Sequence, residues 1–142
     1  MKKYSLFFLT VVPVLLIDQI TKTLVHTRMA LYESRPVIEG FFSLTYIRNP
    51  GAAFGFLAGA APLYRSLFLI AVTLVAMTLI LLYLGKSRKE PPLLIFSLAL
   101  ILSGAAGNLI DRIRFGEVID FLDLYIGAYH WPAFNVADSA IS

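Results

Sequence analysis

The sequence predicts a membrane protein of the α-helical class, with a small β-sheet outside the bilayer. Of its 142 residues, 58% are hydrophobic and only 15% are charged, and the mean hydropathy is +0.78. Soluble domains carry about 25% charged residues. Three long apolar segments are each long enough to cross a bilayer, and a run of β-forming residues lies between the first two. These observations together predict the fold class.

The first apolar segment, residues 4–25, is expected to form the first transmembrane helix. About 22 residues of helix cross roughly 30 Å of hydrocarbon. Its start, with Lys2 and Lys3 before an apolar run, is similar to a signal peptide, but no small-x-small cleavage site follows. Asp18 and Lys22 lie four residues apart, so they share a helical face in the favourable order for an ion pair. A pair that snorkels to the headgroups is the alternative, although an Asp this far along a span is costly.

A polar loop is expected at residues 26–64, on the other side of the membrane. Within it, residues 41–48 are rich in β-forming residues with partial alternation, which predicts a strand in a small sheet. Turn-forming residues flank this strand on both sides. Residues 52–57 are small apart from their aromatics, which would allow close approach of another helix or a ligand.

Two more spans and the start of a fourth are expected after this loop. The third span has small residues near its end, which suit tight helix packing. The fourth stops at Ser142 after about 13 Å of helix, so we expect that most of this span is missing from the given sequence. The expected segments are a second span at 66–84, a cytoplasmic loop at 85–92, a third span at 93–110, a periplasmic segment at 111–133 and the start of the fourth span at 134–142.

The distribution of basic residues predicts that the N-terminus is cytoplasmic. Short cytoplasmic loops are enriched in Lys and Arg, and four of the five lysines lie near the N-terminus or in the loop at 85–92. The opposite loop contains arginines, but Glu33 and Glu39 accompany them. The acids that follow the third span then lie at the outer face. A group of aromatic residues is expected to anchor the protein at this interface, and it consists of Tyr125, Tyr129, His130 and Trp131.

Carboxylates are the most prominent candidates for chemistry, because acids at the end of a membrane helix are costly unless they are paired, solvated or used. The chain has no cysteine, two histidines and no H-E-x-x-H or G-x-S-x-G motif, so metal, thiol and serine hydrolysis have little support. Two carboxylates held close together share a proton, and such a dyad activates water without a metal or organic cofactor. Spacing alone does not choose the pair among Asp111, Asp120, Asp123 and Asp138.

Helical spacing relates some of these acids to near neighbours. Asn108, Asp111 and Arg112 share one face, so Asp111 is expected to pair with Arg112 or another base. Asn135 and Asp138 are three residues apart, so the amide can hydrogen-bond the carboxylate or a substrate backbone. Asp120 and Asp123 would share a face only if their segment were helical.

Five short motifs follow one another along the chain: Asp18-Gln19-x-Thr21-Lys22, Asn49-x-Gly51-Ala52-Ala53-Phe54-Gly55, Gly104-Ala105-x-Gly107-Asn108-x-x-Asp111-Arg112, Val118-x-Asp120-Phe121 and Phe134-Asn135-x-Ala137-Asp138-Ser139-x-Ile141. With these motifs the chain resembles lipoprotein signal peptidase, or signal peptidase II, a family of bacterial inner-membrane aspartic proteases. The motifs extend over nearly the whole chain and together are far more specific than any one alone. One departure is Ser103-Gly104, where the family commonly has two glycines.

The resemblance implies that Asp120 and Asp138 are the catalytic pair, and it demotes Asp111 and Asp123. It also implies that Asp111 and Arg112 brace the site, while Asn108 and Asn135 contribute hydrogen bonds. The residues implied to bind substrate or support the site are Asp18, Lys22, Asn49, Gly51, Gly107, Asn108, Asp111, Arg112, Asn135 and Ala137.

The resemblance implies a fold of four transmembrane helices, the fourth truncated here, with a small periplasmic β-sheet and a short periplasmic helix. The implied substrate is a diacylglyceryl-modified prolipoprotein, cleaved just before its lipidated cysteine. Membrane lipids would hold the acyl chains, and globomycin-type cyclic peptides would inhibit the enzyme. We expect a monomer in the bacterial inner membrane, without metal or cofactor, with its active site near the periplasmic face.

Three other functions are less well supported. Nucleic-acid binding needs a basic face, and the net charge of +3 comes from scattered residues. A non-catalytic four-helix scaffold would have to tolerate several costly acids without using them. A small proton-coupled transporter would use the acids as a relay, but such proteins usually have internal repeats and broken helices, and neither is found here.

Overall fold

Three long helices form the membrane part of the protein, and a short fourth helix packs against the first and the third. The computed structural model describes residues 2–51, 61–86 and 89–142. Three of its helices are long and apolar enough to cross a bilayer, with mean hydropathies of 1.7, 2.8 and 2.1 in chain order. The helices are α1 (Lys2–Arg28), α2 (Pro62–Lys86), α3 (Pro92–Phe115) and α4 (Val136–Ile141).

The ends of α3 follow local sequence signals. The helix begins after Pro91 with another proline, a residue whose fixed φ suits the first helical turn. It ends at Gly116, which has a φ of 75° and donates its N–H to the carbonyl of Arg112 at 2.9 Å. Glycine adopts this left-handed conformation without a steric penalty, so it turns the chain from α3 directly into the next strand.

A four-stranded antiparallel sheet lies at one end of the helices. Its strands are adjacent in chain order, and the central pair is β2 with β3. In the register of this pair Asn49 faces Val118 and Ile47 faces Asp120, so the end of β2 lies beside the start of β3. The strands are β1 (Ser34–Ile38), β2 (Phe42–Asn49), β3 (Val118–Ile126) and β4 (Tyr129–His130).

The predicted helical membrane class and small sheet are confirmed, and several boundaries differ from those expected. The strand expected at residues 41–48 is β2. Helix α3 continues to Phe115, five residues beyond the expected end of the third span. Phe134, the expected start of the fourth helix, instead forms a bridge with Leu122 of β3, and α4 begins at Val136. In the given sequence α4 comprises the six residues Val136–Ile141.

Strand β3 also decides a question that spacing left open. Successive side chains of a strand point to opposite faces, so residues three apart lie on different faces. Asp120 and Asp123 are therefore separated by the sheet and belong to different clusters.

Two apolar clusters stabilise this arrangement. The first joins α1, α2 and α3 at the end away from the sheet, and Lys3 donates there to the carbonyl of Leu84. The second lies beneath the sheet, and its buried members are Val25, Tyr46, Ile119 and Phe121. The loop between α2 and α3 and the sheet are therefore at opposite ends of the helices.

Two expectations for the loop after β2 have different outcomes. Residues 52–57, expected to allow a close approach, lie outside the described residues. The short periplasmic helix is not found among residues 2–51, 61–86 and 89–142, whose only helices are α1 to α4.

Candidate active site

Asp120 lies on β3 with its carboxylate buried between two amides. Only 2% of the residue is exposed. The side-chain amide of Asn49 donates to Oδ2 at 3.0 Å, and that of Asn135 donates to Oδ1 at 2.7 Å. Burial raises the pKa of Asp120 from 3.8 to about 7, and the negative charge of Asp138 adds to this effect, while the amide hydrogen bonds act against it. Asp120 is therefore a carboxyl group that exchanges a proton near neutral pH.

Asp138 lies in the first turn of α4 and is partly exposed. The Asn108 side-chain amide donates to its Oδ1 at 2.8 Å, and the backbone N–H of Asn135 donates to its Oδ2 at 3.3 Å. In return, the Asp138 backbone N–H donates to Oδ1 of Asn135 at 2.8 Å, which completes a capping box. This reciprocal pair fixes the direction of the Asp138 carboxylate.

Asn135 connects the two carboxylates. Its side chain caps α4 through Oδ1, and its Nδ2 donates to Asp120 on the neighbouring strand. The same Nδ2 lies 3.2 Å from the side-chain oxygen of Asn108 and 3.2 Å from the carbonyl of Ile119. Because Asn135 is completely buried, these protein groups supply its hydrogen bonds. The three-residue spacing predicted a contact of Asn135 with Asp138 only. The spacing of residues along the chain does not show which strand lies beside α4.

A buried ion network supports this pair from behind. The ammonium of Lys22 lies 3.0 Å from the carboxylates of both Asp18 and Asp111 and donates to Oδ1 of Asn108 at 2.9 Å. Its three N–H donors thus match three acceptors. Lys22, Asp18 and Asp111 are each 1% exposed or less. The expected pair of Asp18 with Lys22 is present, deep inside the protein and not as a snorkelling pair, and the base that pairs with Asp111 is Lys22.

The same network positions α4 through its backbone. Oδ1 of Asp18 accepts the backbone N–H of Ala137 at 2.9 Å, so an orphan donor of the first turn of α4 is satisfied. Gly107 leaves room for this contact, since a Cβ there would overlap the Asp18 carboxylate and meet the Cβ of Ala137 at 3.3 Å. Gly104, one turn earlier, similarly leaves room for the carbonyl of Ala137.

Asn49, Gly51 and Arg112 form the opposite side of the site. Oδ1 of Asn49 accepts the backbone N–H of Gly51 at 3.0 Å, which leaves the amide free to donate to Asp120. Arg112 donates to the carbonyls of Gly51 at 3.3 Å and Asn108 at 3.5 Å. Arg112 therefore ties the end of the β2 segment to α3.

Two cavities adjoin the carboxylates. One, of about 590 Å³, is bordered by Asp138, Asn108 and Arg112, and the other, of about 540 Å³, is bordered by Asp120. Both are walled by residues that sequence reasoning did not assign to the site. Among these, Pro132 and Ala133 border both cavities, while Trp131, Phe134, Ser139 and Ile141 border the first.

Trp131 was expected as an interface anchor, and its position beside Asp138 could not be read from its aromatic character alone. The other aromatic residues of that group lie elsewhere. His130 contacts Asp123 at 2.8 Å through Nδ1 and stacks on Tyr125 at 4.8 Å, on the other face of β3. Asp123 thus lies on the face of β3 away from the candidate site. Within the described part of the chain, no three His, Cys, Asp or Glu residues form a group that could hold a metal ion.

A family model described as signal peptidase (SPase) II matches residues 10–142, which is most of the chain and includes every candidate site residue. The chain belongs to the signal peptidase II family. It is an enzyme of this family and a multi-pass membrane protein, which disfavours the scaffold and the transporter.

Relatives of the same family agree over nearly the full length. The lipoprotein signal peptidase of Syntrophus aciditrophicus (strain SB) is 63% identical over 141 residues, which cover 99% of this chain and 88% of that protein. The lipoprotein signal peptidase of Geobacter metallireducens (strain ATCC 53774 / DSM 7210 / GS-15) is 56% identical over 138 residues, covering 97% and 84%.

Solved structures share the fold of this signal peptidase II. A bacterial membrane enzyme structure determined by the in meso method at 2.3 Å resolution is 35% identical, has a TM-score of 0.85, and matches 95% of this chain and 79% of that chain. A second, at 1.9 Å resolution, is also 35% identical, with a TM-score of 0.82 and coverages of 95% and 84%.

Proposed function

We propose that this signal peptidase II removes the signal peptide of diacylglyceryl-modified prolipoproteins by cleaving just before the lipidated cysteine, with Asp120 and Asp138 as the catalytic pair. The observation that carries this proposal is the pair of contacts made by the Asn135 side chain. Its Nδ2 donates to Asp120, and its Oδ1 caps the helix that contains Asp138. Two carboxylates joined in this way and open to adjoining cavities are suited to acid and base work on one peptide bond.

Asp120 is the partner that carries the proton. Its raised pKa keeps the carboxyl group largely protonated up to about neutral pH. Asp138, on the wall of the larger cavity, takes the role of the base. A carboxylate oxygen has two lone pairs, so each oxygen of Asp138 keeps one for a water molecule beside the hydrogen bond it already accepts.

The reaction follows from these two roles. Asp138 takes a proton from water as the water oxygen bonds to the scissile carbonyl carbon, and Asp120 donates a hydrogen bond to the carbonyl oxygen. The C–N bond then breaks, and the leaving amine of the cysteine takes a proton from the dyad. Oxygen, protons and charge balance within the peptide, one water molecule and the two aspartates, so the step requires no cofactor.

The position of the dyad suits a lipidated substrate. Asp120 is near the start of β3, the strand that follows α3, and Asp138 is in the short helix packed on α3. Both therefore lie where the membrane-spanning part of α3 ends. Acyl chains that remain in the bilayer would hold the modified cysteine at this depth. The membrane therefore restricts the scissile bond to the level of the carboxylates, which reduces the entropic cost of positioning it.

The topology and partners are part of the same proposal. The sheet end, with the dyad, faces the periplasm of a bacterial inner membrane, and the N-terminus and the loop between α2 and α3 face the cytoplasm, since four of the five lysines lie at that end. Globomycin-type peptides would occupy the cavity beside Asp138 in place of substrate. The enzyme is proposed to act as a monomer among membrane lipids.

The proposal is tested by a gel-shift cleavage assay in lipid with a diacylglyceryl-modified prolipoprotein. Wild type is compared with Asp120→Asn and Asp138→Asn, and with Asp123→Asn as the matched control on the opposite face of β3. Loss of cleavage in the first two variants alone, with all four proteins folded, supports the pair. Cleavage by folded Asp120→Asn would refute the mechanism, whereas cleavage of an unlipidated precursor at the same rate would refute the substrate class.

A further inference from the structure

A cluster of basic and aromatic side chains lies at the sheet end of α1 and α3, and one of its members, Arg48, also borders the smaller cavity beside Asp120. Its members are Arg48 at the end of β2, Arg114 and Phe115 in the last turn of α3, and His26 and Tyr46. The guanidinium carbons of Arg48 and Arg114 lie 4.4 and 4.9 Å from the centre of the Phe115 ring. Two arginines thus share one aromatic ring. The group is called the basic–aromatic cluster below.

The hydrogen bonds in this cluster run in one direction. Arg48 Nε donates to the hydroxyl of Tyr46 at 2.7 Å, and that hydroxyl lies 2.8 Å from Nδ1 of His26. Nη2 of Arg48 also lies 3.4 Å from Nδ1 of His26, so both this guanidinium N–H and the hydroxyl hydrogen of Tyr46 can donate to Nδ1. With Nδ1 as the acceptor, Nε2 is the remaining donor of the exposed His26 ring. The cluster therefore offers two guanidinium groups and a ring N–H, and it uses no acidic partner.

The charges of the cluster are not neutralised by nearby carboxylates. In the part of the chain that the structure describes, neither Arg48 nor Arg114 is in an ion pair, whereas the exposed Arg35 is paired with Glu33 at 2.7 Å. Glu117 is close in sequence to Arg114 but forms no ion pair among those residues. Guanidinium groups that lie on one ring without a carboxylate partner keep N–H donors that an anion can accept.

The location of the cluster identifies the anion. Phe115 is the last residue of α3, the third membrane-spanning helix, and His26 and Arg114 are exposed side chains in the last turns of α1 and α3. Side chains at such positions meet the lipid headgroups. Guanidinium groups bind phosphate oxygens with several N–H donors, and aromatic rings are favoured at the same depth.

We propose that the basic–aromatic cluster binds the phosphate headgroup of an anionic bilayer lipid, such as phosphatidylglycerol, in the leaflet on the sheet side. Arg48 and Arg114 contact the phosphate, Nε2 of His26 is a further donor, and Phe115 lies against the glycerol and upper acyl region. The bound lipid occupies a position next to the sheet, and this binding does not depend on the aspartate chemistry proposed above.

The test is lipid binding to the whole protein in detergent, measured by native mass spectrometry with phosphatidylglycerol and with phosphatidylcholine of the same acyl chains. Wild type is expected to retain phosphatidylglycerol preferentially. Arg48→Gln with Arg114→Gln is expected to weaken phosphatidylglycerol binding about thirtyfold, with phosphatidylcholine binding unchanged. Arg48→Lys with Arg114→Lys keeps the charge and should retain most of the preference.

The matched control is Arg35→Gln with Lys86→Gln, which removes two charges elsewhere and should leave the preference intact. Arg114→Gln alone is included in case the double variant misfolds. This substitution should not disturb folding, because Arg114 is exposed and contacts only the ring of its neighbour Phe115 among the aromatic residues of the cluster. It should lose part of the preference while eluting like wild type on size exclusion. The proposal is overturned if folded Arg114→Gln and the double Gln variant bind like wild type, if the control loses as much, or if millimolar inorganic phosphate displaces the lipid.

Discussion

The side-chain amide of Asn135 donates a 2.7 Å hydrogen bond to the carboxylate of Asp120, although Asn135 caps a helix and Asp120 is on a strand. Asn135 also anchors Asp138 through the capping box. One buried amide therefore sets the positions of both proposed catalytic groups. Its removal should affect catalysis more than it affects the fold elsewhere.

Asn135→Ala should reduce kcat much more than it changes KM. The variant loses the bond to Asp120 and the cap of α4, and a lost cap alone costs about 1 kcal/mol of stability. Misaligned acid and base groups should cost a further factor of about 10² in rate. Steady-state kinetics and thermal unfolding on the same preparation separate the two effects. A variant that unfolds easily but retains full kcat would show that Asn135 is only a cap.

Activity should fall as the pH rises above about 7, because the mechanism requires the protonated form of Asp120, whose pKa is raised to about 7. The measurement is kcat/KM across the neutral range with a substrate whose own charge does not change there. A rate that instead rises through this range would identify Asp120 as the base and exchange the roles of the two aspartates.

The stability of the protein should also decrease as the pH rises from about 4 to about 7. Asp120 has a pKa of 3.8 when exposed and about 7 when folded, so the folded state binds more protons in this window. The contribution of Asp120 to stability is fully present below the unfolded-state pKa of 3.8 and is lost as the pH rises through the folded-state pKa of about 7. The free energy of unfolding should change by about 4 kcal/mol at most.

This pH effect on stability should disappear in Asp120→Asn. It should shrink in Asp138→Asn, because the charge of Asp138 contributes to the raised pKa of Asp120. Thermal unfolding in one detergent at several pH values is the measurement. Wild type and Asp120→Asn with the same pH dependence would show that another group titrates.

Lys22→Met should destabilise the protein by about 3–5 kcal/mol, since it leaves the carboxylates of Asp18 and Asp111 buried without their base. The exposed Lys86→Met is the control and should unfold like wild type. Adding Asp111→Asn to Lys22→Met should restore part of the loss. If the double variant is no more stable than Lys22→Met, the ion pair with Asp111 is not the source of the effect.

Gly107→Ala should be destabilising and should lower activity, because a Cβ would overlap the carboxylate of Asp18 and press on Ala137. Gly85→Ala is the matched control within another membrane helix. A Cβ at Gly85 meets nothing within 4 Å, so this change should be neutral or stabilising by up to about 1 kcal/mol. Equal effects of the two substitutions on unfolding temperature would argue against a close approach at Gly107.

Features that depend on composition and short spacing could be predicted from the sequence alone. Long apolar runs leave a membrane helix as the only way to satisfy the backbone in lipid, so three spans were predictable. The ion pair of Asp18 with Lys22 followed from the four-residue period of a helix. The resemblance added Asp120 and Asp138 as a pair, which spacing alone did not select.

The tertiary structure decided which distant groups meet. Helical periodicity relates residues within one or two turns, whereas the neighbours of Asp120 come from β2 and from the residue before α4. The base of Asp111 is Lys22 on another helix, a partner that only the packing of α1 on α3 reveals. The conformation of residues 118–126 also decided that Asp120 and Asp123 are on opposite faces. The physical reason is the cost of burying charge: each buried carboxylate requires donors, and the fold brings those donors from elements that are far apart in the chain.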